Sequence, residues 1–184
     1  DPRPSPPPPS PLGPDGTLRS GAWAGSFDRV DLRPAAGAGL GGLLRRALRL
    51  KRWHWATAAT DEVLVSLAVV DLGWAATGFA WAADRAAGSM LFDRTLRGVP
   101  GLTAAAGDRP GEGARAFLEG RGGCLRVERR ADRYRLALSL EPGIALECLL
   151  DTRGAPAPWA VATALEDGLP HVTQKSAALP ASGT

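Results

Sequence analysis

"EVLVSLAVVDLGWAATGFAWAAD", residues 62–84, is the most apolar stretch of the chain, and its reading decides the fold. Between Glu62 and Asp84 the run 63–83 carries one charge, Asp71. It just reaches the roughly 20 residues that a membrane-spanning helix needs. Asp71 would then sit near the bilayer centre at a cost of about 2.5–3.5 kcal/mol. Gly73 and Gly78 interrupt the run, and Val63, Val65, Val69 and Val70 are β-branched, which favours strand. Val63, Val65, Leu67 and Val69 share one face of such a strand; Leu64, Ser66, Ala68 and Val70 share the other. Asp71-Leu72-Gly73 reads as a turn. A second run, 74–82, puts Thr77, Phe79 and Trp81 on one face. The stretch therefore reads as a β-hairpin turning at Asp71–Trp74, with a buried helix and a membrane span as the weaker alternatives.

The same pattern extends in both directions. Residues 51–60 form a strand candidate in which Trp53 and Trp55 point one way and His54 the other. Residues 89–96 follow as another, then 97–113 reads as a long Gly/Pro-rich loop. The clearest hairpin is the stretch 123–143. Leu125 and Val127 face in, and so do Tyr134, Leu136, Leu138 and Leu140; Arg126, Glu128, Arg133 and Arg135 face out. Residues 143–151 repeat the pattern, with Cys148 on the apolar side and Cys124 on the polar side, which argues against a disulfide. Residues 159–165 and 171–176 complete about nine short strands, while the C-terminal 176–184 shows no strand signal. Such an antiparallel meander closes into a barrel or packs as a sandwich to protect its edges. One short helix is expected over 40–52.

Composition bounds the function only loosely. The chain has 184 residues, a net charge of +3, two cysteines and two histidines. The charge is too mild to imply a nucleic-acid partner. No Cys or His pair has metal-ligand spacing, so neither a metal nor a cofactor is expected. The start lacks the plan of a signal peptide and reads as an extended, Pro-rich lead-in over 1–20, ahead of a β-rich domain over 21–184. Both ends look cut, so a fragment of a longer chain is expected. A cytoplasmic location and no integral membrane span are expected as well.

Several candidate sites have plainer readings beside them. "GAGLGG" (37–42) matches a dinucleotide fingerprint, but no strand precedes it, and it reads as a flexible linker. The arginines at 121, 126, 129, 130, 133 and 135 alternate with Glu128 and Asp132 and read as a solvated sheet face. Four of the six tryptophans, Trp53, Trp55, Trp74 and Trp81, are the candidate ligand-binding residues if they wall an apolar cavity; core packing is the plainer reading. His171 and Lys175 share a strand face with Thr173, where His and Lys could serve acid–base work; an exposed polar edge is the plainer reading.

Taken together, "GPDGTLRSGAW" (13–23), "LRLKRWHWATAATDEVLVSLAVVDLGWAATGFAW" (48–81) and "VTQKSAALPASG" (172–183) resemble the bacterial and fungal family called domain of unknown function 2804. The family's motifs fall on Asp15–Gly16, Lys51–Trp53, Asp71–Trp74 and Thr173–Ser176, with Trp74 where a tyrosine is common. The resemblance covers most of this chain and the first half of the family's length. The family is similar to the carotenoid hydratase and AttH-like proteins, which have two lipocalin-like barrels. The resemblance thus implies an all-β antiparallel meander forming a lipocalin-like barrel, or half of a two-barrel protein, with an apolar ligand such as a lipid, polyene or terpenoid-like molecule. A hydratase or cyclase acting on a polyene double bond would need a positioned acid, for which Asp71 is the candidate. Its place in a turn favours a structural role. The sequence leaves open whether the protein is an enzyme, a non-catalytic binder or a structural β-domain without ligand, and leaves its oligomeric state open too.

Overall fold

The computed structural model describes residues 5–184; Asp1–Pro4, the first residues of the expected lead-in, lie outside the described residues. In chain order the elements are β1 (Gly21–Ala24), a 3-10 turn (Arg33–Ala36), α1 (Gly39–Arg49), β2 (Arg52–Ala59), β3 (Val63–Asp71), β4 (Ala76–Asp84), β5 (Ser89–Gly98), β6 (Ala104–Ala106), β7 (Arg115–Gly120), β8 (Gly123–Arg130), β9 (Arg133–Leu140), β10 (Ile144–Asp151), β11 (Trp159–Ala164), β12 (Pro170–Lys175) and β13 (Ala181–Gly183). The fold is all-β. Every pairing between these strands is antiparallel, and α1 is the one α-helix among the described residues. Three sheets form, ordered β2-β3-β4-β5, β13-β10-β9-β8-β7-β6 and β1-β11-β12. Among the described residues no ladder closes them into a barrel. Among the described residues no helix is long and apolar enough to cross a membrane.

The opening stretch is the β3–β4 hairpin, in register from Val63↔Asp84 to Asp71↔Ala76. Its turn is tied by two hydrogen bonds. Leu72 N–H donates to the Ala75 carbonyl at 2.8 Å, and Gly73 N–H donates to Asp71 Oδ1 at 2.8 Å. Gly73 sits at φ +87°, which a residue with a Cβ adopts only under strain. Asp71 also accepts from Arg52 at 3.4 Å. The lone charge of the apolar run is thus the pin of its turn.

The main core lies between the four-stranded and six-stranded sheets. Val65, Leu67 and Val69 project inward from β3, and Leu118, Leu125, Leu136 and Leu138 oppose them from β7, β8 and β9. The inward face of β4 is made of Ala76, Gly78, Ala80 and Ala82, while Thr77, Phe79 and Trp81 point to the other side. Bulk is therefore placed opposite smallness: the leucines of one sheet fill the shallow face of the other. An ideal Cβ on Gly78 would lie 2.8 Å from Leu125 Cδ1 and 2.9 Å from the Ala68 carbonyl. A smaller core of Phe27, Ala160 and Ala162, with Trp23 edge-on to Phe27, supports the three-stranded sheet.

The lead-in from Ser5 is packed. Proline lacks an N–H, so the segment serves as an acceptor. Ser5, Pro9 and Pro11 carbonyls accept from Ala24, Asp28, Arg29 and Arg19, and Leu12 is buried. Three sequence expectations are corrected. The loop reading over 97–113 contains β6, whose "AAA" has no visible alternation yet pairs with β7 and is buried at Ala104 and Ala106. The C-terminal stretch contains β13, which adds to the edge of β10. The glycine-rich 37–42 is not a linker, since from Gly39 it is the first turn of α1. The arginine-rich outer face of the β8–β9–β10 region is ion-paired, with Arg126 to Glu119 at 2.5 Å and Arg135 to Glu147 at 2.6 Å. Both cysteines are free: Cys148 is buried on the inner face, and Cys124 is half-buried.

Candidate cleft between two free strand edges

A cleft of about 780 Å³ opens where two sheets fail to join. β2 begins its meander and β12 ends its sheet, so among the described residues each leaves one edge without a partner strand. These two edges form the walls. Val127, Tyr134 and Leu150 of the six-stranded sheet form the floor, and Ser176–Leu179 completes the lining. The volume falls in the range of small-molecule sites, about 300–1,000 Å³.

The cleft has two zones because β2 alternates. Its inward face contributes His54, Ala56 and Ala58, which join Val127 and Leu150 in an apolar interior. Its outward face contributes Trp53 and Trp55, 47% and 59% exposed, at the mouth. Trp55 is positioned rather than loose: its Nε1–H donates to Ser66 Oγ at 2.7 Å, and buried Ser66 also accepts from Thr57 at 3.0 Å. Trp53 lies 6.1 Å, centroid to centroid, from the His171 ring across the gap. On β12, Val172 packs into the small core, while Gln174 donates to Ser26 Oγ at 2.7 Å and accepts from Phe27 N–H at 3.2 Å. Tyr134 OH donates to the Pro110 carbonyl at 3.0 Å and fixes the loop that closes one end.

The electrostatics of the lining are uneven. Asp31 is paired with Arg33, Asp108 with Arg29 and Arg52 with Asp71. Lys51 Nζ donates to the Leu72 carbonyl at 2.5 Å. Lys175, exposed at the mouth, has neither an ion pair nor a hydrogen bond of its side chain among the described residues. His54 is held neutral. Burial pushes its imidazole below the ordinary value, the Arg52 charge adds to that, and the hydrogen bond to the Gly107 carbonyl at 3.1 Å opposes it. The unfolded imidazole takes up a proton as pH falls through about 6.5, whereas the folded one resists it. His54 therefore contributes stability that is present above that pH and lost below it. The urea midpoint should fall between about pH 7 and 5, and His54→Gln should flatten that slope. An unchanged slope in the variant would remove His54 from this role.

Of the residues singled out by sequence, Trp53, Trp55 and Lys175 come together at the cleft, with His171 beside Trp53. Asp71, Trp74 and Trp81 are not among the lining residues. Asp71 is spent on the turn and Arg52, Trp74 is 66% exposed in that turn, and Trp81 is half-buried on the outer face of β4. Val127, Tyr134 and Leu150 were readable as inward-facing, whereas for His54 alternation gave only the face opposite Trp53 and Trp55, and nothing local marks any of the four as a cavity surface rather than solid core. Among the described residues no cluster of His, Cys, Asp and Glu is placed to hold a metal ion.

A family model described as "Domain of unknown function (DUF2804)" matches residues 10–184. No curated protein and no solved structure matches the chain.

Proposed function

The chain belongs to the domain of unknown function 2804 family, and from that premise we propose that it binds an apolar small molecule with one anionic end in the cleft between β2 and β12. The observation that carries this reading is the two-zone lining. An apolar interior of Ala56, Ala58, Val127 and Leu150 lies below a mouth bearing Lys175, a cation with no protein counter-ion among the described residues. A buried tail gains free energy from every methylene it removes from water, about 0.8 kcal/mol each. A carboxylate at the mouth stays near solvent and meets the Lys175 ammonium without a large desolvation cost. A fatty acid or a carboxylated polyene has this chemistry. Trp53 and Trp55 flank the entry as flat apolar walls. Binding is preferred over polyene hydration because Asp71, the acid that hydration would use, is committed to the β3–β4 turn.

Titration of intrinsic fluorescence separates the alternatives, since two tryptophans stand at the mouth. Palmitate should quench or shift the emission with saturation, and hexadecanol should bind about two- to fivefold more weakly. Lys175→Gln should erase the difference between the two probes while leaving hexadecanol unaffected. No saturable response to palmitate, hexadecanol or a carotenoid would overturn the reading.

A further inference from the structure

We infer that α1 is a membrane-surface helix, which lays a leucine stripe into an anionic bilayer next to the cleft mouth. The stripe is Leu40, Leu43, Leu44 and Leu48, spaced i, i+3, i+4 and i+8, so all four project from one side of the helix. Each is between 53% and 74% exposed. The opposite side faces the protein. Gly42 is buried against the Gly37 carbonyl, Arg46 Nη2 donates to that carbonyl at 3.1 Å, and Arg49 is ion-paired with Asp167. An amphipathic helix on a globular domain normally buries its apolar face and exposes its polar one. Here the polar face is docked and the apolar face is presented outward.

Charge identifies what covers it. From Leu32 to Thr60 the chain has no acidic residue and six Lys or Arg: Arg33, Arg45, Arg46, Arg49, Lys51 and Arg52. Arg33, Arg49 and Arg52 are neutralised by Asp31, Asp167 and Asp71. Arg45, Arg46 and Lys51 have no ion pair among the described residues. Arg45, exposed beside the stripe, is the long cationic side chain that reaches a headgroup layer while its stem covers apolar surface. Leucines on one face, an unpaired arginine beside them and no acid in the segment itself form the pattern of a helix lying in the interface of an anionic bilayer. At 11 residues α1 is too short to cross one. Trp74, in the turn whose Gly73 packs under the Ala47 carbonyl, adds a second exposed anchor by the C-terminal end of α1. Leu50, Lys51 and Arg52, which follow α1 directly, line the cleft, so the docked helix sets the mouth beside the lipid. The inference stands whether or not the cleft takes a ligand.

Vesicle flotation of the full chain tests it, using vesicles of phosphatidylcholine alone and of an equimolar mixture with phosphatidylglycerol. The chain should float with the mixed vesicles and much less with the neutral ones, and high salt should weaken the association. Leu43→Ser/Leu44→Ser should lower vesicle affinity by about tenfold or more, and Arg45→Gln by about threefold, with urea midpoints unchanged because all three side chains are exposed. Equal flotation of the double variant and the parent, or no flotation on mixed vesicles, would overturn the inference. Self-association by sedimentation that the double variant abolishes, without flotation, would overturn it too and assign the stripe to contact between copies.

Discussion

Leu125→Ala is expected to destabilise the protein by about 3–5 kcal/mol. Leu125 is fully buried at the centre of the main core, paired across the ladders with Leu118 and Leu138. Its Cδ1 fills the space left by the missing side chain of Gly78 in the opposite sheet. Truncation removes that contact and leaves a void that a ladder on each side of β8 prevents from collapsing. Gly78→Ala alone should also destabilise, because its methyl meets Leu125, Leu118 and the Ala68 carbonyl at 2.8, 3.3 and 2.9 Å. Combined, the two changes should cost less than their sum by about 0.5–3 kcal/mol, since one clash disappears and the methyl enters the new cavity. A double-mutant cycle from urea unfolding reads this directly. Strict additivity would mean that the two sheets do not interlock at Gly78.

Gly73→Ala should cost about 2–4 kcal/mol, the second-largest effect. Two penalties combine. The left-handed backbone at φ +87° disfavours a Cβ by about 1–2 kcal/mol. The new Cβ would also lie 2.4 Å from the Ala47 carbonyl, backbone that cannot step aside unless α1 moves. Gly88 supplies the control. It lies in the β4–β5 turn at φ +64°, and a Cβ there would meet nothing within 4 Å, so Gly88→Ala carries only the conformational part. The difference in urea midpoint between the variants isolates the contact that seats α1. Equal losses at both positions would show that α1 is not held by the turn.

The hairpins were legible for a local reason. Alternation has a period of two, and the residues that reveal it are adjacent in the chain. Val65, Leu67 and Val69 are inward as their pattern predicts, and so are Leu125, Val127, Leu136 and Leu138. The turn at Asp71–Trp74 was legible because its hydrogen bonds are made within a few residues. Strands without alternation were not. β6 and β13 exist because β7 and β10 offer them an edge, which is a property of the partner.

By itself the sequence determined the all-β class, the position of the central hairpin and which face of most strands is apolar, because these depend on neighbours a few residues apart. Tertiary structure alone decided which apolar face is core and which is surface. On β4 the small residues went inward and the aromatics outward, since the volume was already taken by leucines from the other sheet. It alone placed the leucine stripe of α1 outward, by docking the arginine side on Gly37 and Asp167. It also made the cleft. β2 and β12 lie more than a hundred residues apart in the chain, and their unpaired edges meet only because each ends its own sheet. No window of sequence holds both walls, so Trp53 and Lys175 came to line one cleft only in the folded chain.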